Sequence, residues 1–157
     1  MAVPRPEPHG ISCRPIPVAG RSRGERLSQT ERIRLAAEIV AAYAQARRAL
    51  RRAPIASVVA SLRSESSPAF PPAVGTLEEA RRLGRAVART LALVPGDTRC
   101  LARSLVLTRL LARRGIPAKL VIGARTAPDF LAHAWVEHAG DPVLAPGDGS
   151  FGRLVEL

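Results

Sequence analysis

Several kinds of residue are scarce in this chain of 157 residues. It has two cysteines and one lysine, Lys119, and aromatic residues make up only 3% of it. Two cysteines are too few for a disulfide framework. Because aromatic residues are scarce, the core must be built from leucine, valine, alanine and isoleucine. The cysteines and histidines show no CxxC, HxxxH or HExxH spacing. We therefore expect neither a metal site nor a cofactor.

The chain also lacks the segments that would direct it to a membrane. No apolar run reaches the length of a membrane span, and the N-terminus lacks the apolar stretch of a signal peptide. We therefore expect no membrane partner and a cytoplasmic location. Residues 1–26, which include Cys13, are rich in proline and show no periodicity, which predicts a disordered leader segment. Residues 27–157 are then expected to form a single domain.

Positive charge is abundant. The formal net charge is +11, and Lys119 is the only contributor besides arginine. The arginines are spread over several helix faces and are not interleaved with aromatic residues, so a nucleic acid is not the expected partner. Attraction of an acidic peptide remains open.

The first two thirds of the chain predict helices. Ser28 and Glu31 form a capping box that starts the first helix, which should end before Pro54. A short helix is predicted over Ile55 to Leu62, and another begins at Thr76. A fourth follows from the leucine spacing between Leu101 and Leu111. The last of these has Asp97 as its predicted N-cap, Gly115 as its terminating glycine and Pro117 beyond it.

The last third predicts strands. Ala118 to Ala124 and Leu131 to His138 are apolar runs typical of buried strands, and residues 141–157 could add one or two more. The fold class is therefore α+β, with N-terminal helices and a small antiparallel sheet.

Cys100 and His133 are the candidate catalytic residues. Cys100 falls in the first turn of the fourth helix, where free backbone N–H groups and the helix dipole favour the thiolate. His133 lies on a strand, on the same face as Trp135 and Glu137. A thiol and an imidazole are the nucleophile and base of acyl chemistry. Asp148 is the preferred candidate for the third member of a catalytic triad, the group that would orient the His133 ring. Asp141 is the competing candidate, although both residues lie in predicted turns.

Other interpretations use the same residues. His138, at the strand end, is expected to be exposed and is given no role. The Cys100 and His133 pair could transfer an acyl group to an amine instead of water, and the sequence does not separate these reactions. The chain could also be a basic binding module for a peptide or nucleic acid in which Cys100 is only structural.

Two stretches carry a resemblance to a known family. CLARSLVLTRLLARRGIPAKLVIGA, followed by FLAHAWVEHAG, resembles the lasso-peptide biosynthesis B2 proteins from roughly Thr76 to the C-terminus. These are leader peptidases with a transglutaminase-like, papain-related core. The resemblance implies a cysteine protease that removes the leader from a ribosomally made precursor before a separate macrolactam cyclase closes the ring.

The resemblance also implies roles for particular residues. Cys100 matches the family's nucleophile and His133 its base. Leu144 and Ala145 occupy the place of the family's acidic residue, and Asp148 is the nearest acid beyond them. The segment before Ser28 is too short and too rich in proline for a leader-recognition domain, so a separate recognition protein is expected. A basic surface would suit an acidic leader.

Overall fold

Four helices precede the sheet. The computed structural model describes residues 28–64, 76–96, 99–127, 129–144 and 151–157, so the proline-rich leader, including Cys13, lies outside it. The helices are α1 (Gln29–Leu50), α2 (Ile55–Ser64), α3 (Thr76–Leu91) and α4 (Cys100–Ala112). The predicted capping box starts α1, because the Ser28 side chain accepts from the Glu31 N–H and the Glu31 carboxylate accepts from the Ser28 N–H.

In the part of the chain that the structure describes, four strands form one antiparallel sheet in the order β3, β2, β1, β4. Their bounds are β1 (Lys119–Arg125), β2 (Leu131–His138), β3 (Asp141–Pro142) and β4 (Gly152–Glu156). The helices lie in the first part of the chain and the strands in the last, so the predicted α+β class is confirmed. Within the described ranges, no helix has both the length and the apolar character needed to cross a bilayer.

Helix α4 is the centre of the fold. It packs against α1, α2 and α3 on one side and against β1 and β2 on the other. Residues 104–108 are all buried in consequence, as are Leu110 and Leu111. A helix buried on nearly every side must be apolar on nearly every side, which explains the dense leucine and valine content of this segment.

The end of α4 turns the chain directly into β1. The Ile116 N–H donates to the Leu111 carbonyl and the Gly115 N–H to that of Ala112. Gly115 has a φ of 66°, so these bonds form a Schellman motif with the predicted glycine at its left-handed position. This turn fixes where β1 begins relative to α4.

The other end of β1 lies beside the start of β2. Arg125 pairs with Leu131 and Gly123 with His133, while Lys119 pairs with Glu137. After β2, Ala139 and Gly140 both have positive φ and form the predicted hairpin turn to Asp141. The described part of residues 141–157 thus contributes two strands, Asp141–Pro142 and Gly152–Glu156, one on each side of the β1–β2 pair.

The burial of His138 differs from what the sequence predicted. Its side chain was expected to be exposed, but His138 is buried, and its Nδ1 lies 2.6 Å from the Pro117 carbonyl oxygen. A carbonyl only accepts, so Nδ1 is the donor in this hydrogen bond. His138 thus connects the end of β2 to the α4–β1 turn by a hydrogen bond. The sequence did not indicate this contact, because Pro117 is distant along the chain.

A pair of cations beside Glu156 makes the β1–β4 contact depend on pH. The Arg153 guanidinium lies 2.7 Å from the Glu156 carboxylate and the Lys119 ammonium 3.1 Å from it. The hydrogen bond from Arg153, and then the bond and charge of Lys119, hold the pKa of Glu156 below its ordinary value of 4.5. The folded protein therefore binds fewer protons at this group than the unfolded chain does.

We expect Glu156→Gln to reduce the free energy of unfolding at neutral pH and to have no effect at low pH. The contribution of Glu156 is fully present above about pH 4.5 and is lost as the pH falls through the lower, folded-state value. Urea unfolding of both proteins at neutral pH and at the lowest pH at which both are folded measures this. Glu79→Gln, which removes a pair held at only 4.0 Å, is the control. A difference of the same size at both pH values would contradict the prediction.

Candidate active site

Cys100 is the first residue of α4. It is a free, half-buried thiol whose side chain packs against the edge of the core. The N-cap position is held by Arg99, which makes no side-chain capping hydrogen bond, and the predicted cap Asp97 lies outside the described residues. The N–H groups of the first turn, that of Cys100 included, have no acceptor within the helix. They can stabilise negative charge that develops next to the sulfur.

The start of α4 lies beside the start of β2. The Ser104 hydroxyl, one turn after Cys100, donates to the Ala134 carbonyl at 3.0 Å, and Ala134 follows His133. Helix α4 and strand β2 run in the same direction, because Ser104 near the start of α4 binds Ala134, whereas the turn after α4 is bound through Pro117 to His138 at the end of β2. Cys100 lies four residues before Ser104, about 6 Å along the helix axis. Ala132 lies two residues before Ala134, about 6.6 Å along the strand. The backbones of Cys100 and His133 are therefore at the same end of the fold.

The His133 ring lies on the face of the sheet that turns away from α4. Ala134 and Val136 enter the main core, so the alternate side chains of β2 project from the other face, as predicted. On that face the His133 ring stacks on Trp135 with centroids 6.0 Å apart, and lies 5.1 Å from the Phe151 ring. These contacts hold the imidazole between two aromatic rings, while the thiol is on the helix side of the strand.

The two candidates for the third member differ in position. Asp148 lies outside the described residues and stays a prediction. Asp141 is on β3, where it pairs with His138, and forms an ion pair with Arg81 at 3.9 Å. His138 is five residues from His133, or about 17 Å along a strand. Asp141 is therefore too distant to orient the His133 ring.

The structure adds Glu137 to the residues around His133. Its carboxylate is buried on the same face and accepts hydrogen bonds from the Trp135 indole and the Arg153 guanidinium. The sequence placed Glu137 on this face but gave it no role. The alternation of His133, Trp135 and Glu137 was the available signal, whereas the contact with Arg153 depends on strand pairing.

Neither glutamine of the chain lies on the helix that holds Cys100 or on the strand that holds His133. Gln29 and Gln45 are both exposed on α1. Within the described ranges, no three histidine, cysteine, aspartate or glutamate side chains come together in a way that could hold a metal ion.

The part of the chain that holds Cys100 and His133 matches a known family. Residues 40–156 match the Transglutaminase-like superfamily. The chain belongs to this superfamily. The matched region holds α2, α3, α4 and the whole sheet, with Cys100 and His133 inside it. Members of the Transglutaminase-like superfamily are typically cysteine proteases or acyltransferases. No curated protein and no solved structure gives a significant match.

Proposed function

We propose that this Transglutaminase-like protein is a cysteine peptidase that removes the leader from a ribosomally synthesised lasso-peptide precursor. The observation that carries the proposal is the free Cys100 thiol at the start of the central helix, level with the His133 end of β2. The resemblance of the α4 and β2 segments to lasso-peptide leader peptidases supports the substrate class. A cytoplasmic location would keep the Cys100 thiol reduced.

The proposed reaction has two steps. Cys100 gives its thiol proton to His133, and the resulting thiolate attacks the carbonyl carbon at the end of the leader, where the N–H groups of the first turn of α4 stabilise the oxyanion. His133 delivers a proton to the leaving amine as the peptide bond breaks, which leaves a thioester on the enzyme. A water molecule gives its proton to His133 and attacks the thioester. The leader leaves with a free carboxylate, and His133 returns its proton to the Cys100 sulfur, which restores the thiol.

We propose His133 as the base. Its ring is half-buried between Trp135 and Phe151, so its position is restricted even though it lies near the end of a strand. We propose Asp148 as the group that orients this ring. A separate leader-recognition protein and a macrolactam cyclase are the proposed partners, with the basic surface attracting an acidic leader.

Mass spectrometry of the products tests the proposal. Wild type and Cys100→Ala are incubated in H₂¹⁸O with synthetic lasso-peptide precursors and a recognition protein, and an added primary amine competes with water. We expect wild type to release a leader whose new carboxylate carries ¹⁸O, and Cys100→Ala to release none.

The other outcomes would overturn the proposal in different ways. A leader joined to the added amine would identify an acyltransferase that uses the same pair of residues. Cleavage that survives in Cys100→Ala would exclude the thiol mechanism. An absence of any turnover, together with salt-sensitive binding to a polyanion that Cys100→Ser leaves unchanged, would identify a basic binding module.

A further inference from the structure

A buried carboxylate lies next to the aromatic rings that contact His133 in the candidate active site. The Glu137 side chain is only 8% exposed. Its Oε1 accepts one hydrogen bond from the Trp135 Nε1–H at 2.8 Å and another from the Arg153 guanidinium at 2.6 Å. A buried charge is tolerated only where it is paired and hydrogen-bonded, and the mechanism proposed above makes no use of this one.

The Trp135 indole is held from two directions. At one end, the Nε1–H is bound to Glu137. At the other, the six-membered ring lies over Gly123, where an added Cβ would be 3.0 Å from two ring carbons. An indole fixed at both ends cannot rotate without breaking the hydrogen bond or striking the β1 backbone. It is therefore a rigid surface at the place where His133 stacks.

The His133 ring takes its plane from this surface. The imidazole and indole planes differ by 19°, with centroids 6.0 Å apart, so the two rings are stacked. The Phe151 ring approaches the imidazole at a tilt of 33°. An imidazole turns easily about its last side-chain bond, and a neighbouring flat ring restricts that rotation.

We propose that Glu137 is a positioning residue for His133. By binding the Trp135 indole it fixes the surface on which the His133 imidazole stacks, and so sets the direction in which the imidazole moves protons. This inference rests on the proposed function, in which His133 is the base. Misplacement of a reacting group by about 1 Å can cost about 100-fold in rate, so a small rotation of the indole is sufficient to matter.

The experiment compares three variants of the full chain. Glu137→Ala removes the acceptor of the indole N–H, whereas Glu137→Gln keeps an acceptor oxygen and removes the charge. Glu156→Ala is the matched control, because Glu156 shares the Arg153 partner and has no bond to Trp135 in the described contacts. Steady-state kinetics of leader release give kcat and KM separately. NMR spectra of the His133 ring protons report its position relative to the indole independently of any substrate.

We expect Glu137→Ala to lower kcat by about 10- to 100-fold with KM little changed, and to shift the His133 ring signals. Glu137→Gln should restore kcat to within about threefold of wild type, and Glu156→Ala should leave kcat and the ring signals unchanged. If Glu137→Ala is folded and keeps both kcat and the ring signals of wild type, the proposal is wrong. If Glu156→Ala reproduces the loss, Arg153 pairing and not the indole bond is responsible, and the proposal is equally wrong.

Two further measurements separate the possible failures. Should Glu137→Ala not fold, Trp135→Phe keeps an aromatic face and removes the N–H. The same fall in kcat is expected for Trp135→Phe, and a wild-type kcat would contradict the proposal. Should wild type itself release no leader, the proposed function fails, but the ring signals still decide whether Glu137 positions His133. Signals that do not respond to Glu137→Ala would then overturn the positioning role as well.

Discussion

His133→Asn is expected to lower kcat for leader release by about 10²- to 10⁴-fold, the usual contribution of a general acid and base. Asparagine occupies a similar volume and can form hydrogen bonds, but it does not exchange a proton at neutral pH. KM should change little, because the imidazole acts on the reacting atoms and not on the distant parts of the peptide. Single-turnover assays followed by mass spectrometry measure the rate of the chemical step directly.

His138→Asn is the matched control for this result. His138 is on the same strand, is buried as well, and its Nδ1 donates to the Pro117 carbonyl. Weakening of this hydrogen bond should lower the free energy of unfolding by at most about 1.5 kcal/mol, the upper end of the usual net contribution of one hydrogen bond, and leave kcat unchanged. A folded His133→Asn protein with a kcat within threefold of wild type would remove His133 from the mechanism. Equal losses in both variants would indicate a general effect of disturbing β2.

Local signals were sufficient to place most of the elements. The capping box of Ser28 and Glu31 and the glycine turn at Gly115 are interactions within a few residues, and both are present. The bounds of β2 are those predicted, because alternation and apolar content coincide there. The prediction for α4 was less complete. Leucine spacing indicates one buried face, but α4 is enclosed by helices and sheet together, and only tertiary packing could show this.

Long-range pairing accounts for what the sequence did not indicate. Glu137 meets Arg153 only because β4 pairs with β1 next to β2, and the register of β4 shifts between Ile122 and Gly123. The burial of His138 has the same origin, since its partner belongs to the α4–β1 turn. The periodicity of a single segment depends neither on the order of the strands in the sheet nor on a register shift between them. The sequence therefore indicated Cys100 and His133 but not the groups that support His133.

Gly123→Ala is expected to be strongly destabilising for a change of one methyl group. A Cβ at this position would be 2.8 Å from the Gly152 carbonyl oxygen and 3.0 Å from two carbons of the Trp135 ring. The carbonyl belongs to the backbone of β4, and Trp135 is buried and bound to Glu137, so neither neighbour can move at low cost. Insertion of a methyl group into such a site costs about 1–3 kcal/mol. Urea unfolding measures the difference.

Gly152→Ala separates this clash from the general effect of replacing a strand glycine. Its Cβ would be 3.6 Å from the Ala124 carbonyl oxygen, an ordinary contact, so we expect no loss of stability and a gain of up to about 1 kcal/mol from the restricted unfolded chain. Equal stability changes in the two variants would show that the Trp135 ring does not rest on Gly123. If Gly123→Ala is destabilised and Gly152→Ala is not, the folded fraction of Gly123→Ala should also have a reduced kcat, because the displaced indole no longer holds the His133 ring.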